Sequence, residues 1–326
     1  MDVEEGIGVT AFLIDDRPVV FVQDADANRR FLEGIDTGYW DYQATVHGKE
    51  VVEGDAEHRH RAAAALRIAY GQGLETFFAL TAALVQAPKY PLGWMMSYQK
   101  ELKSIVQKIQ NGRKELLSPL QRKPSWDSVA DAVFEFCPGH VRADASRNFA
   151  RVWRRFAGEF LEASFEPEYN SLKHGMRAHV GDFSVAMGEE SIFGQGASPE
   201  NMKTIGGTEY GSTFWMRPRK VQDFQRTFEL GKQVSRAWVP EQFIFGLQLI
   251  GLSIRNVASR ARIEAGVDSA KVQFQWVSEE TVYDSPRRKR PSLSHLTMGQ
   301  TVDLSGWEEP SEEEIRQAYR KVGDEP

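Results

Sequence analysis

Six apolar residues, Phe243, Leu247, Ile250, Ile254, Val257 and Ala261, recur at alternating four- and three-residue steps. That rhythm puts all six on one side of an α-helix and makes them a seam that must lie along a second helix. The matching stripe is Leu66, Tyr70, Leu74, Phe77, Thr81 and Leu84, in a helix running from Asp55 to about Ala87 and stopped by Pro88 and Pro91. Two long helices joined by such a seam define a bundle. The apolar run Phe243–Ile254 carries Gln248 and is shorter than the ~20 residues that cross a bilayer, so it is expected to be a buried helix and not a membrane span.

The other segments fill in around that pair. Val9–Ile14 and Val19–Val22 flank Asp15-Asp16-Arg17-Pro18 and predict a hairpin. Residues 33–54 lack a firm period and are read as irregular, with a strand near Tyr42–Val46. A second helix is expected from about Gly93 to Gln110, stopped by Asn111-Gly112, and a third from Ser125 through Phe136. A fourth begins at Asp144 or Ser146, turns Phe149, Val152, Trp153, Phe156 and Phe160 inward, and breaks at Pro167. Asp182–Met187 and Tyr210–Met216 read as strands around a loop containing Gly194, Gly196, Gly206 and Gly207. Helix is expected again from Gln222, interrupted by Pro240, followed by a strand at Lys271–Val277, a polar loop at 285–297, and a last helix opened by the capping box Ser311-Glu312-Glu313-Glu314. The expected fold is mainly α: a helical bundle (55–264) with a β excursion at 181–217, a small β-rich N-terminal lobe (1–54), and a strand, polar loop and helix at 265–326.

Over 326 residues, apolar side chains make up 41% and charged ones 26%, the balance of a folded globular chain. A net charge of -6 gives no general attraction to nucleic acid or anionic membrane, so any polyanion site must be a local patch. Cys137 is the only cysteine, which excludes an internal disulfide and reads as a small buried apolar residue. The acidic start Met1-Asp2-Val3-Glu4-Glu5 has neither the basic region nor the apolar run of a secretion signal, so a cytoplasmic location is expected.

One short segment concentrates chemistry: Tyr169-Asn170-Ser171-Leu172-Lys173-His174-Gly175, followed by Met176 and Arg177. At ~100° per residue, Asn170, Lys173, His174 and Arg177 share one quadrant of a helix, with Tyr169, Leu172 and Met176 on the far side. His174 could move a proton near neutral pH, Lys173 and Arg177 could hold a phosphate, and Asn170 could orient the imidazole or a substrate. The same pattern also describes a solvated basic face on a helix that packs through Leu172 and Met176. Gly175 either lies within the helix or ends it, and in the second case Arg177 leaves the face.

This segment, in a helical bundle and just after a helix break, resembles the HEPN superfamily. Active members of that family carry an arginine, a polar residue that is often asparagine, and a histidine a few positions on. Asn170 and His174 match, and Tyr169 stands where the catalytic arginine would be. The resemblance implies an RNA-directed protein of the bacterial defence or toxin type, with a homodimer as one arrangement. It implies either a metal-independent endoribonuclease, with Lys173 or Arg177 replacing the missing cation, or a catalytically silent relative. A phenol supplies no permanent positive charge. The alternative class is a non-enzymatic helical scaffold that binds a partner protein or nucleotide.

Other candidates are weaker. Arg147, Arg151, Arg154 and Arg155 form a stripe that would suit phosphate contacts, with Arg147, Arg151 and Arg155 the residues to test, but Asp144, Glu159 and Glu162 share the helix. Glu57-His58-Arg59-His60 could share a metal only if extended, and no third ligand stands nearby. Glu75 reads as the edge of an apolar face beside Gly71 and Arg67, with Arg67 reaching solvent, or as a carboxylate held within the bundle. The Gly194-Gln195-Gly196 and Gly206-Gly207-Thr208 pairs lack the spacing of a phosphate loop and read as hairpin turns. Arg290 and His295 have the family spacing but sit in a Pro- and Ser-containing stretch after Arg287-Arg288-Lys289. No cofactor and no metal are expected.

Overall fold

The computed structural model describes residues 7–24, 26–112, 116–119, 123–174, 177–189, 196–217, 219–220, 227–229, 231–279, 295–298, 301–303 and 310–323. The expected hairpin is present: β1 (Ile7–Ile14) pairs antiparallel with β2 (Arg17–Asp24). Asp15 turns it in the left-handed region at φ 55, which aspartate tolerates better than most residues. Gln86, at the end of the next long helix, fixes this turn by accepting from the Asp15 amide (2.9 Å) and donating to its carbonyl (3.0 Å).

The segment read as irregular is helical instead, as α1 (Ala27–Glu33) and α2 (Tyr39–Glu53), and the strand near Tyr42–Val46 does not exist. Its inward face is Trp40, Ala44, Gly48 and Val51, a helical stripe in which two of the four members are too small to register as apolar period. α3 (Ala56–Gln86) is the expected long helix, capped by the Asp55 carboxylate on the His58 amide at 2.9 Å.

The predicted second helix is two, α4 (Pro91–Ser97) and α5 (Leu102–Asn111). Tyr98 leaves the helix at ψ 150, and Glu101 holds the corner by accepting from the Gln99 amide (2.7 Å) and Arg17 (2.8 Å). α5 stops where expected, at left-handed Gly112.

α6 (Trp126–Val133) carries the Ser125 cap but ends before Phe136, and α7 (Gly139–Phe160) begins earlier than Asp144. The break falls at 161–164, ahead of Pro167. That proline sits in the first turn of α8 (Phe165–Lys173), where its missing N–H costs nothing.

β3 (Ala178–Gly188), β4 (Met202–Met216), β7 (Lys232–Ala237) and β8 (His295–Met298) form an antiparallel sheet in the order β3-β4-β7-β8. Gly206 and Gly207 are not turn residues; they lie inside β4, opposite Val185 and Ser184, beside a register shift. β5 (Arg219–Lys220), β6 (Thr227–Glu229) and β9 (Thr301–Asp303) make a smaller sheet. The helix expected from Gln222 is therefore strand at 227–229 and 232–237, and residues 221–226 lie outside the described part. Gly194 and residues 285–294, including Arg287 to Arg290, also lie outside it.

Pro240 opens α9 (Pro240–Glu264) at its first position instead of interrupting a helix. The strand expected at 271–277 does not form: Lys271 closes a short 3-10 turn, and residues 272–278 pair with no strand among the described residues. Asn256 and Ser259 of α9 take their backbone groups instead, through Asn256 to Gln275 (2.7 and 2.8 Å) and Ser259 to Gln273 (2.8 Å). α10 (Glu312–Gly323) carries the predicted capping box, Ser311 with Glu314.

The fold is mainly α, with antiparallel sheets set on a helical core, as the periodicity predicts. α3 and α9 pack on each other, with α2 against both. Their close approach depends on Gly246: a Cβ there would lie 2.5 Å from Cε2 of Tyr70. One continuous core runs from Phe12 to Phe274, centred on Trp153 among Phe77, Phe134 and Phe149, with the Trp153 indole donating to buried Ser253 at 2.9 Å. Among the described residues α3 is the one helix long and apolar enough to cross a membrane, and 78% of its apolar window is buried in this core.

Candidate functional site

α8 is nine residues long, and its face is set by position. Phe165, Glu168, Tyr169 and Leu172 occupy the i, i+3, i+4, i+7 positions and are all buried, which leaves Asn170 half-buried and Lys173 and His174 exposed. The helix ends at Lys173, with the His174 amide donating to the Asn170 carbonyl at 3.0 Å. The expected continuation through Arg177 does not occur, and residues 175 and 176, with the predicted packing of Met176, lie outside the described part.

Arg177 still returns to the helix end. Its amide donates to the Ser171 carbonyl (2.7 Å) and its guanidinium to the Asn170 carbonyl (3.4 Å). There the partial negative charge of the terminal carbonyls favours a cation. Asn170, His174 and Arg177 are thus gathered at one helix terminus, although not by a common helical face. The His174 ring is exposed and has no hydrogen-bond partner among the described residues.

Tyr169 is turned the other way. Its ring lies against Gly71 of α3, where a Cβ would come within 2.5 Å of Cδ2, and its hydroxyl donates to Glu75 Oε2 at 3.2 Å. Lys173 donates to the same oxygen at 3.4 Å and stands 5.0 Å from the Tyr169 ring centre. Burial, together with the Glu75 carboxylate, raises the Tyr169 phenol far above its ordinary range, so it stays neutral.

Glu75 stands half-exposed at the edge of the apolar face of α3, as expected, and is the anionic counterpart of the motif; the Arg67 beside it, however, does not reach solvent. Arg67 is itself buried, bonded to Glu168 through Nε (3.1 Å) and Nη2 (2.5 Å). Glu168 also accepts from Ser212 (2.6 Å) and Trp238 (2.8 Å), with Arg236 at 3.5 Å, and so joins α3, α8 and the sheet. Burial pushes its carboxyl up, but Arg67 and Arg236 outweigh that and hold it below the ordinary value. The sequence carried a signal for this residue: Glu168 lies on the same stripe as Phe165 and Leu172.

The α7 arginines are mostly committed. Arg147 pairs with Asp144, Arg151 with Glu279 at 2.9 Å, Arg154 with Asp127 at 2.6 Å, and Arg155 lies over the Phe156 ring. Residues 57–60 are helical, which separates the two histidines: His58 bonds Asp55, while His60 meets the Tyr210 ring edge-on and lines a cavity of about 340 Å³ with Arg61, Ile68 and Val180. Among the described residues no group of three potential ligands converges on a metal position. His295 sits on β8, bonded to Thr297 at 2.7 Å.

The terminus of α8 thus brings together an exposed guanidinium and an exposed imidazole, beside a half-buried amide and an ammonium held by Glu75. Among the described residues it contains no group placed to activate His174 as a base. Comparison with protein-family models, curated proteins and solved structures found no match.

Proposed function

We propose that this chain is a HEPN-like, RNA-directed protein that binds RNA at the end of α8 and does not cleave it by the arginine–histidine route. The observation that carries the reading is Tyr169. It occupies the arginine position of the resembled motif, is buried against Gly71 and is bonded to Glu75, so that position itself supplies His174 with no cation. Glu75 also draws Lys173 toward α3, which leaves Arg177 and His174 as the groups best placed to meet a phosphate and a ribose hydroxyl.

The test is fluorescence anisotropy with a labelled single-stranded RNA at several salt concentrations, run beside a cleavage assay in EDTA. Binding should weaken with salt. Arg177→Ala should reduce affinity for all sequences alike and lower the salt slope by about one phosphate contact. RNA should remain intact. No binding even at low salt would sink the RNA-directed reading, and cleavage that disappears in His174→Ala would replace it with a nuclease.

A further inference from the structure

Most cations whose side chains are described here have a carboxylate partner, as Arg17, Arg30, Arg67, Arg154 and Arg260 do. Three that converge on one cavity do not. The cavity, about 350 Å³, lies between α9, the end of α1 with the turn after it, and the extended segment that follows α9, and it is lined by Arg255, Arg262 and Lys271. Arg255 and Arg262 are seven residues apart on α9, with Ser259 between them on the same face. Thr37 faces them from the turn after α1 and accepts from Arg255 Nε at 3.1 Å.

Neither Arg262 nor Lys271 has a hydrogen bond or ion pair from its side chain among the described residues. The Nε of Arg262 is shut off from solvent with no partner. That shielded, unbonded N–H adds to the cost of leaving this guanidinium without a partner. Glu33 is the one acidic side chain in the lining, and it makes no ion pair with any of the three cations.

We propose that this cavity binds a small phosphorylated molecule, with its phosphate held by Arg255, Arg262 and Lys271. Two planar guanidinium forks and an ammonium offer more donors than one carboxylate can accept, and they suit the several oxygens and double charge of a phosphate monoester. Leu32 and Ile35 form an apolar wall in the same cavity, which fits an organic portion attached to the phosphate. The volume is near the small end of ligand cavities, about 300 to 1,000 Å³, and so favours a metabolite over a polymer. The site is independent of the α8 terminus and of the RNA reading.

The test is isothermal titration of the full chain, at constant ionic strength, with two probes: inorganic phosphate and adenosine 5'-monophosphate. Both should bind saturably, and the monoester more tightly. Arg262→Gln and Lys271→Gln should each weaken binding by about tenfold or more. Arg154→Gln, which removes a paired cation on α7, should not. Lys271 is exposed, so its variant reports even if Arg262→Gln fails to fold. Absence of saturable binding at millimolar probe, or equal binding by all the variants, would overturn the site. Equal affinity for the two probes would overturn its assignment to an organic phosphate.

Discussion

Glu168 and Arg67, 101 residues apart in sequence, form an ion pair from which water is excluded, with side chains 0% and 6% exposed. The pair is where α8, and with it the candidate site, is fastened to the longest helix and to the sheet. Such a contact adds little net energy over an apolar pair, yet losing one half is expensive because the other charge is stranded.

Replacing Arg67 by Met should therefore destabilise the protein by about 3–5 kcal/mol. Denaturant unfolding monitored by tryptophan fluorescence measures it. A loss below about 1 kcal/mol would show that water reaches Glu168 in the folded state.

The same carboxylate predicts an acid limb. Its folded-state pKa lies below the ordinary 4.5, so its contribution is fully present above that value and is lost as pH falls through the depressed one. Melting temperature should drop with acid below about pH 4.5. Glu168→Gln should be less stable at neutral pH and show a flatter acid limb.

Gly246→Ala should cost about 1–3 kcal/mol by overpacking. The Tyr70 ring that meets the new methyl is pinned through its hydroxyl to Glu159 at 2.5 Å and cannot swing away. Adding Tyr70→Phe should recover part of the loss, which a double-mutant cycle would measure.

Ser125→Ala should cost about 1 kcal/mol, because Ser125 and Ser128 cap each other's amides at the start of α6. An unchanged unfolding midpoint would mean that solvent replaces the cap.

Sequence periodicity and capping residues located the α3–α9 seam, the hairpin, the start of α3 near Asp55 and the caps at Ser125 and Ser311, because each is written in neighbouring residues. It missed α2, whose buried stripe relies on Ala44 and Gly48, and β7, which is a strand because β4 is there to pair with it. Residues 271–277 look β-prone, but Lys271 closes a short 3-10 turn and the backbone of Gln273 and Gln275 bonds to side chains of α9 and not to a strand. At the site, the helical wheel sorted Tyr169 and Leu172 from Asn170 and Lys173 correctly. It could not reveal that Glu75 and Glu168 belong to the same structure, since those contacts span 94 and 101 residues.

Gly71 leaves room for the Tyr169 ring, and that ring in turn carries the hydroxyl bonded to Glu75 and lies beside Lys173. A single methyl group added on α3 would evict the ring, loosen the carboxylate and release the ammonium, without touching the motif itself. The electrostatic character of the α8 terminus is thus on loan from a position on another helix that has no side chain at all.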